Sequence, residues 1–411
     1  MAIQIAKPLF GPEESEAVAR VLASGWVTQG PEVAAFERDF AGCVGAANAC
    51  AVSNCTTALH LALRAVGVGA GDEVITVSHS FIATANAVRY LNAVPVFADI
   101  QPDTYNIDPE RIEECITSKT KALLVVHQLG MPCDLKKVID IARSHRIPVI
   151  EDAACATGSE ILWDGQWEKI GKPHGDIACF SFHPRKIVTT GDGGMLTTNS
   201  PELDRLFRLW RQHGMSVPDL ARHGSKKVIF ESYPSVGYNY RMTDIQAAVG
   251  RVQLSRLTEI VRRRRELAKS YDELLATLPM VIGPAEPDWA RSNWQSYCLM
   301  LDEKLDQYEV MQFMLDRDIP TRRGVMCIHR EAAYDSEPWV CGAKHERKDA
   351  ATGQCPQLGC SEAAQDRGVI LPLFHDMTRE EQIRVVETLS AACESAPRTK
   401  TNGHSKEPHR S

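Results

Sequence analysis

The sequence predicts an α/β fold: a three-layer large domain built on a mostly parallel sheet, followed by a smaller α+β domain at the C-terminal side. Two observations point there. Through the first half, short continuous apolar runs alternate with helical patterns: Val74–Val77, Val94–Phe97, Leu123–Val126, Pro148–Ile150, Ile177–Phe180 and Met195–Thr198. Strands covered by helices on both faces read this way, because neither face requires polar residues. Then Pro279, Pro284 and Pro287 interrupt the pattern and mark a hinge, beyond which Tyr297–Leu301 and Val369–Leu371 read as further strands. At 411 residues and 44% hydrophobic, the chain can bury one large core and a second, smaller one.

Taken in order, Ser53-Asn-Cys-Thr-Thr57 leads into Leu59, Leu61, Leu63 and Val66 and stops at Gly67. This reads as a helix capped by Ser53 or Asn54, with Thr56 and Thr57 in its first turn. Free backbone N–H groups and hydroxyls at such a place make an anion site; an ordinary capped helix has the same pattern. Gly71–Phe81 reads as a strand running into a loop, with Phe81 either lying on a flat ring or serving as core. Ile147–Asp152 is an apolar strand closed by an acid. Ile161–Ile170 lengthens the next connection, and Asp164-Gly165 within it is a hairpin signal. Trp163 and Trp167 there either cover a site mouth or dimer contact, or simply decorate that hairpin. Ser216–Tyr233 reads as a polar loop, and a long helix begins near Thr243 and runs, unbroken or with one break, towards Leu278. Arg262–Arg265 is the only dense basic run and is expected to be a solvated helix face. The division expected is 1–275 for the large domain with an N-terminal segment, 276–395 for the small domain with a polar insertion near 335–362, and a disordered tail over 396–411.

The chemistry concentrates on two residues. Lys186 lies in Phe180-Ser-Phe-His-Pro-Arg-Lys-Ile-Val-Thr-Thr-Gly-Asp-Gly-Gly194, thirty-four residues after Asp152. A lysine that attacks carbonyls must be fixed and partly desolvated, so that its amine is neutral enough to react. A carboxylate closing a buried strand can hold the pyridinium nitrogen of pyridoxal phosphate (PLP) protonated. Glycines after the lysine allow backbone to pass close to a flat cofactor. A lysine before a Gly-rich hairpin is by itself unremarkable; the pairing with Asp152 and the Thr56–Thr57 anion site gives it meaning.

These segments resemble the DegT/StrS-type family of nucleotide-sugar aminotransferases, PLP enzymes of fold type I. The resemblance runs from about Ile3 to about Cys393 and includes Ser24-Gly-Trp-Val-Thr-Gln-Gly30, Gly71–Ile75, Asn86-Ala87, Pro95–Phe97, Glu151-Asp-Ala-Ala154, Gly237-Tyr-Asn-Tyr-Arg-Met-Thr-Asp244, Gln246–Ala248, Gln253-Leu254 and Leu371-Pro-Leu-Phe374. It implies that Lys186 carries PLP as a Schiff base and moves the substrate proton, and that Asp152 balances the ring nitrogen. It implies that Thr56, Thr57 and Ser181 hold the phosphate and that Phe81 stacks on the ring. His183 is expected to pack. His329 aligns with a substrate-side histidine, or is an ordinary polar residue. Asn239 is implied to reach the phosphate of the other subunit in a homodimer with shared active sites. Arg241 either adds charge near phosphate or substrate, or makes a helix-start or interface salt bridge. Cys155 departs from the glutamine common at its position, and reads as a reactive thiol or a small buried residue.

The expected reaction takes an amino group from an amino acid, with L-glutamate as donor, through pyridoxamine phosphate to a keto group of a nucleotide-linked sugar. A carbocyclic ketone is the alternative acceptor, and the identity of the acceptor and its nucleotide leaves no motif. Lys186 argues against dehydration, since dehydratases of the family replace that lysine by histidine. A non-catalytic PLP-binding regulator would need a DNA-binding helix pair, for which no segment is free. A net charge of −7 argues against nucleic acid. No apolar run is long enough to span a bilayer, so no membrane partner and a cytoplasmic location are expected. The thirteen cysteines are expected to be free thiols. Cys327, His329, Cys341, His345, Cys355 and Cys360 lack the paired spacing of a zinc site, so no metal is expected.

Overall fold

The computed structural model describes residues 2–217, 226–342 and 355–396. Helices α1 (Pro12–Ser24) and α2 (Pro31–Val44) lead to β1 (Asn48–Val52) and α3 (Cys55–Ala65). An alternating series follows: β2 (Glu73–Val77), α4 (Ala83–Arg89), β3 (Val94–Ala98), α5 (Ile112–Cys115), β4 (Thr120–Val126), α6 (Leu135–His145) and β5 (Val149–Asp152). Then come β6 (Glu160–Trp163), β7 (Gln166–Lys169), β8 (Ile177–Ser181), β9 (Gly194–Thr198), α7 (Pro201–Trp210), α8 (Asp244–Ser255) and α9 (Leu257–Leu275). The remainder comprises β10 (Val281–Ile282), β11 (Ala290–Arg291), β12 (Tyr297–Leu301), α10 (Gln307–Leu315), β13 (Arg322–Arg323), β14 (Val340–Cys341), α11 (Gly359–Arg367), β15 (Gly368–Leu371) and α12 (Arg379–Ser395).

The central sheet has the order β1-β9-β8-β5-β4-β2-β3-β14. It is parallel from β8 to β14, while β9 runs antiparallel to both β8 and β1. All six strands read from the sequence are present. Successive residues enter opposite cores: Val149, Leu123 and Ile75 face one with Phe36, Phe40, Phe180 and Phe182, whereas Ile150, Leu124 and Val74 face the other with Leu59, Leu61 and Leu63. Burial on both faces is why these runs lack polar alternation.

One consequence of the topology positions the site. The carboxyl ends of the parallel strands β2, β5 and β8 share one edge of the sheet. Because β9 and β1 alternate in direction, Val52, Gly194 and Ser181 align in register at that same edge. The start of α3, the loop after β2, Asp152 and the segment after Ser181 therefore all converge there.

The second sheet, β10-β12-β15-β13, is antiparallel. Its core joins Leu299, Leu301, Val369 and Leu371 to Val385 and Leu389 of α12 and to Leu267 and Tyr271 of α9. The long helical pattern is broken at Arg256, which ends α8 and precedes α9. The hairpin signal at Asp164-Gly165 is a turn between β6 and β7 with both residues at positive φ. Trp163 stacks on His174 with ring centroids 3.9 Å apart, and Arg291 lies 3.8 Å over Trp167, so both indoles are engaged within the chain.

Several expectations need correction. The N-terminal segment, grouped with the large domain, is tied to the smaller core: Ile3 N–H donates to Asp318 and packs with Leu267 and Tyr271. Part of the insertion assigned to the small domain instead extends the large sheet, with β14 pairing in parallel with β3. Phe97, Ile328, Tyr334, Trp339, Cys341 and Cys355 bury together beneath it. Cys341 and Cys355 form a disulfide, against the expectation of thirteen free thiols; the other eleven cysteines are free. Arg262–Arg265 is a solvated face only in part. Arg262 is exposed and paired with Glu259 and Glu266, and Arg263 and Arg265 are half-buried, while Arg264 is buried and donates to the carbonyls of Trp294 and Gln295. The proposed disordered tail lies, apart from Ala396, outside the described residues, as does His345.

Candidate active site

The start of α3 is built by its sequence. Asn54 caps it, accepting from Thr57 N–H at 2.9 Å, and Thr57 Oγ1 donates back to the Asn54 carbonyl at 2.7 Å. Ser53 and Thr57 hydroxyls are 3.4 Å apart, and Thr56 is half-buried beside them. The helix start lies directly on Gly194: a Cβ there would meet Asn54 C at 2.5 Å, its O at 2.6 Å and Cys55 N at 2.8 Å. Only a residue without a side chain lets the helix N-terminus settle this close to the strand edge. A helix N-terminus flanked by hydroxyls is a site for a phosphate.

Asp152, 5% exposed, closes β5. Thr84 Oγ1 donates to one of its oxygens at 2.8 Å and Ala154 N–H to the other at 3.2 Å. Burial raises its carboxyl above the usual range, and these two donors with the Lys186 amine offset that only in part. A carboxylate so placed gains from a further cationic N–H donor, which is what a protonated pyridine nitrogen supplies. Ser80, bonded to Thr84 at 2.8 Å, completes this chain of hydroxyls.

Lys186 follows Ser181, the end of β8, and its Nζ donates to Cys155 Sγ at 3.0 Å. Burial works to lower the amine, but Cys155, Cys55 and Asp152 together hold it above the ordinary lysine value. Burial pushes up the thiol of Cys55, the first residue of α3; Asp152 raises it further and Lys186 opposes. Cys155 is half-buried and engaged with Lys186, rather than a small buried core residue. Phe81 is 62% exposed on the loop after β2, so it is not core. His183 is half-buried and its Nδ1 accepts from Arg185 N–H.

The structure does not bring every expected residue to the site. His329 is fully buried, with Nδ1 2.6 Å from Ser78 Oγ and Nε2 2.9 Å from Glu362. Both ring nitrogens are committed to holding the segment after β13 against β2, so the substrate-side role is not supported. Asn239 is exposed, next to Tyr240, whose carbonyl accepts from Ser53 N–H at 2.8 Å. Arg241 lines a cavity of about 670 Å³ with Gln29, Arg205 and Gln212. Among the described residues no group of three or more His, Cys, Asp or Glu side chains is placed to hold a metal ion. No described helix is long and apolar enough to cross a membrane.

Sequence reading missed Thr84, Ser80, Asn293 and Gln295. A threonine in the first turn after a strand-end loop was a usable signal for Thr84. Asn293 and Gln295 arrive from more than a hundred residues beyond Lys186 and gave none.

A helix start suited to a phosphate, a buried acid and a lysine amine held beside them fit a PLP enzyme of the α/β aminotransferase class. Residues 8–390 match the DegT/DnrJ/EryC1/StrS aminotransferase family, and the chain belongs to it. The spore coat polysaccharide biosynthesis protein SpsC of Bacillus subtilis is 42% identical over 297 residues, covering 72% of this chain and 75% of SpsC. The aminotransferase TlmJ of Streptoalloteichus hindustanus superposes with a TM-score of 0.84 at 31% identity, over 96% of this chain and 100% of TlmJ. DesI, crystallised in the presence of its TDP-sugar product, superposes with a TM-score of 0.82 at 28% identity, over 96% and 94%. The chain is a PLP-dependent aminotransferase of a family that uses an amino donor and a keto-sugar acceptor.

Proposed function

We propose that Lys186 is the residue that holds PLP covalently and shuttles the proton, and that the acceptor is a keto group on a nucleotide-linked sugar. The observation that carries this is the convergence of Lys186, Asp152 and the Gly194-seated start of α3 on one sheet edge. When bound, PLP supplies an electron sink for the carbon that gains or loses the amino group. The residues of this chain do the rest. Thr56, Thr57, Ser181 and the N–H groups of α3 bind the phosphate, and Phe81 covers one ring face. Asp152, held by Thr84 and Ala154, keeps the ring nitrogen protonated. With the cofactor held, Lys186 would take a proton from the substrate carbon and return it as general base and acid. In the cofactor-free chain Cys155 Sγ accepts from the Lys186 amine.

L-glutamate as the donor, and aminosugar biosynthesis as the setting, accord with the family. The sugar assignment draws on DesI, whose product is a TDP-sugar, and on SpsC, a polysaccharide biosynthesis protein. A cytoplasmic location is part of this reading; eleven free cysteines support it and the Cys341–Cys355 disulfide counts against it. The large domain is proposed to centre on the eight-stranded sheet and the small one on the four-stranded sheet. We take the working unit as a homodimer in which Asn239, exposed beside the phosphate end, donates to the partner's phosphate. Exposed Val228, Phe230, Tyr233 and Val236 precede it and offer the apolar surface such a contact needs.

The deciding experiment follows the cofactor absorbance while L-glutamate is added, then while nucleotide-linked keto sugars and carbocyclic ketones are offered to the aminated form. The expected result is loss of the band with glutamate and its return with a nucleotide sugar. Return only with a carbocycle would overturn the acceptor assignment. A band that survives in Lys186→Ala and is trapped by borohydride would overturn the lysine.

A further inference from the structure

We infer that Asn293 and Gln295 are positioning residues that set the Lys186–Cys155 pair from the far side, with Arg264 as the buried cation that fixes them. This rests on the reading of Lys186 given above.

Lys186 sits in no regular element: its own N–H donates to the His183 carbonyl in a turn after β8. Its neighbours are held by one carboxamide. Gln295 Nε2 donates to the Arg185 carbonyl at 2.5 Å, and Gln295 Oε1 accepts from Ile187 N–H at 3.1 Å. The backbone is therefore gripped immediately before and immediately after the lysine. Two residues away, Asn293 Nδ2 donates to the carbonyls of Cys155, at 2.8 Å, and Thr157, at 2.9 Å. Asn293 Oδ1 in turn accepts from Gln295 N–H at 2.8 Å, so the two carboxamides form one unit. A strip of three residues thus holds both ends of a contact whose partners are thirty-one residues apart in sequence.

The strip is itself fixed. Trp294 adopts φ +52°, which turns Asn293 and Gln295 to the same side. Arg264 Nε donates to the Trp294 carbonyl at 2.7 Å and its second nitrogen to the Gln295 carbonyl at 2.8 Å. Among the described residues no acid pairs with this guanidinium, and burial lowers it to about 10. A buried arginine bonded only to carbonyls costs stability, and retaining one accords with a need for geometry. Gly130 packs against the strip so closely that a Cβ would fall 2.1 Å from Asn293 Oδ1 and 3.0 Å from Gln295 N.

The function of the grip is mechanical. To act as base and acid beside a bound cofactor, Lys186 would need a mobile side chain on a fixed backbone. With the peptides on both sides pinned, only the side chain moves, and Cys155 Sγ marks a resting place 3.0 Å from Nζ. A displacement near 1 Å at such a group costs about a hundredfold in rate.

The test uses Gln295→Met, which keeps the bulk and removes both hydrogen bonds, and Gln295→Glu. A protonated Glu restores one acceptor and one donor, whereas the carboxylate opposes the Arg185 carbonyl. In Gln295→Met, kcat is expected to fall about ten- to hundredfold, with the donor KM held within about threefold. The pH midpoint of the cofactor absorbance should shift, and iodoacetamide should alkylate Cys155 faster in the cofactor-free protein. In Gln295→Glu, kcat relative to wild type should recover as pH falls. Wild-type values for kcat, absorbance midpoint and Cys155 alkylation in both variants would overturn the proposal. A Gln295→Met chain that does not fold leaves the decision to the pH recovery of Gln295→Glu, whose absence overturns it. Lys186→Ala is run alongside: a borohydride-trapped cofactor in that variant would defeat the lysine reading itself, a result distinct from silence at Gln295.

Discussion

Replacing Gly194 by alanine should separate phosphate binding from every other part of the site. The added Cβ would lie 2.5 Å from Asn54 C, about 0.9 Å inside the 3.4 Å at which ordinary contact begins, and its other neighbours, Asn54 O and Cys55 N, are backbone too. No flexible side chain is available to yield, so the start of α3 must move off the edge. Overpacking of this kind costs about 1–3 kcal/mol of stability. The shift also withdraws N–H donors from the phosphate. A charge-assisted hydrogen bond contributes about 1.5–3 kcal/mol, so weakening one should reduce PLP affinity about tenfold to a hundredfold. The assay is titration of cofactor-free Gly194→Ala with PLP and, separately, with pyridoxal, which lacks the phosphate. Affinity for PLP should fall, whereas that for pyridoxal should match wild type. An equal loss for both ligands, or none for either, would refute the assignment of α3 as the phosphate seat.

Asp152→Asn keeps the shape but loses the charge facing the ring nitrogen, so turnover should drop by about a hundredfold or more while PLP still binds; an unchanged rate would remove Asp152 from the site. Mixing Lys186→Ala and Asn239→Ala chains should, after subunit exchange, give activity above either parent, because one site of the mixed dimer carries both lesions and the other neither. A monomer by ultracentrifugation, or no gain after verified exchange, would defeat the shared site. His79 is 1% exposed with neither ring nitrogen bonded, and burial lowers it to about 3. Its unfolded pKa is about 6.5, so as pH falls from there towards 3 the unfolded chain takes up a proton that the fold refuses, and stability declines on the order of a few kcal/mol. His79→Phe should therefore flatten part of the acid side of the urea-denaturation profile, and an unaltered slope would show that His79 does not titrate there.

What was legible in the sequence follows from where each signal is stored. Strands β2 to β5, β8 and β9 were readable because burial on both faces leaves unbroken apolar runs. The cap at Ser53 or Asn54 and the Asp164-Gly165 turn are equally local, whereas the place of the break at Arg256 came only from the structure. β14 was not readable: two residues in a polar stretch become a strand only because β3 presents an open edge. Arg264 was read as solvated because its neighbours are basic, yet the acceptors that bury it are two carbonyls some thirty residues further on. His329 shows the same limit from the other side. Its position suggested a substrate contact, but Ser78 and Glu362, both distant in sequence, take up its ring.

The candidate site divides along this line. The residues proposed to meet the cofactor lie at strand ends and a helix start, where local sequence records them: Thr56 and Thr57 after β1, Phe81 after β2, Asp152 at the end of β5, Ser181 at the end of β8. The parts that fix their geometry come from elsewhere: Thr84 onto Asp152, Gly194 beneath α3, Gln295 around Lys186. Each support touches a different functional group, so each perturbation should move a different observable. Gly194 should govern phosphate affinity, Asp152 with Thr84 the electron sink, and Gln295 the travel of the lysine. A strand edge shared by several elements can therefore change one function without losing the others.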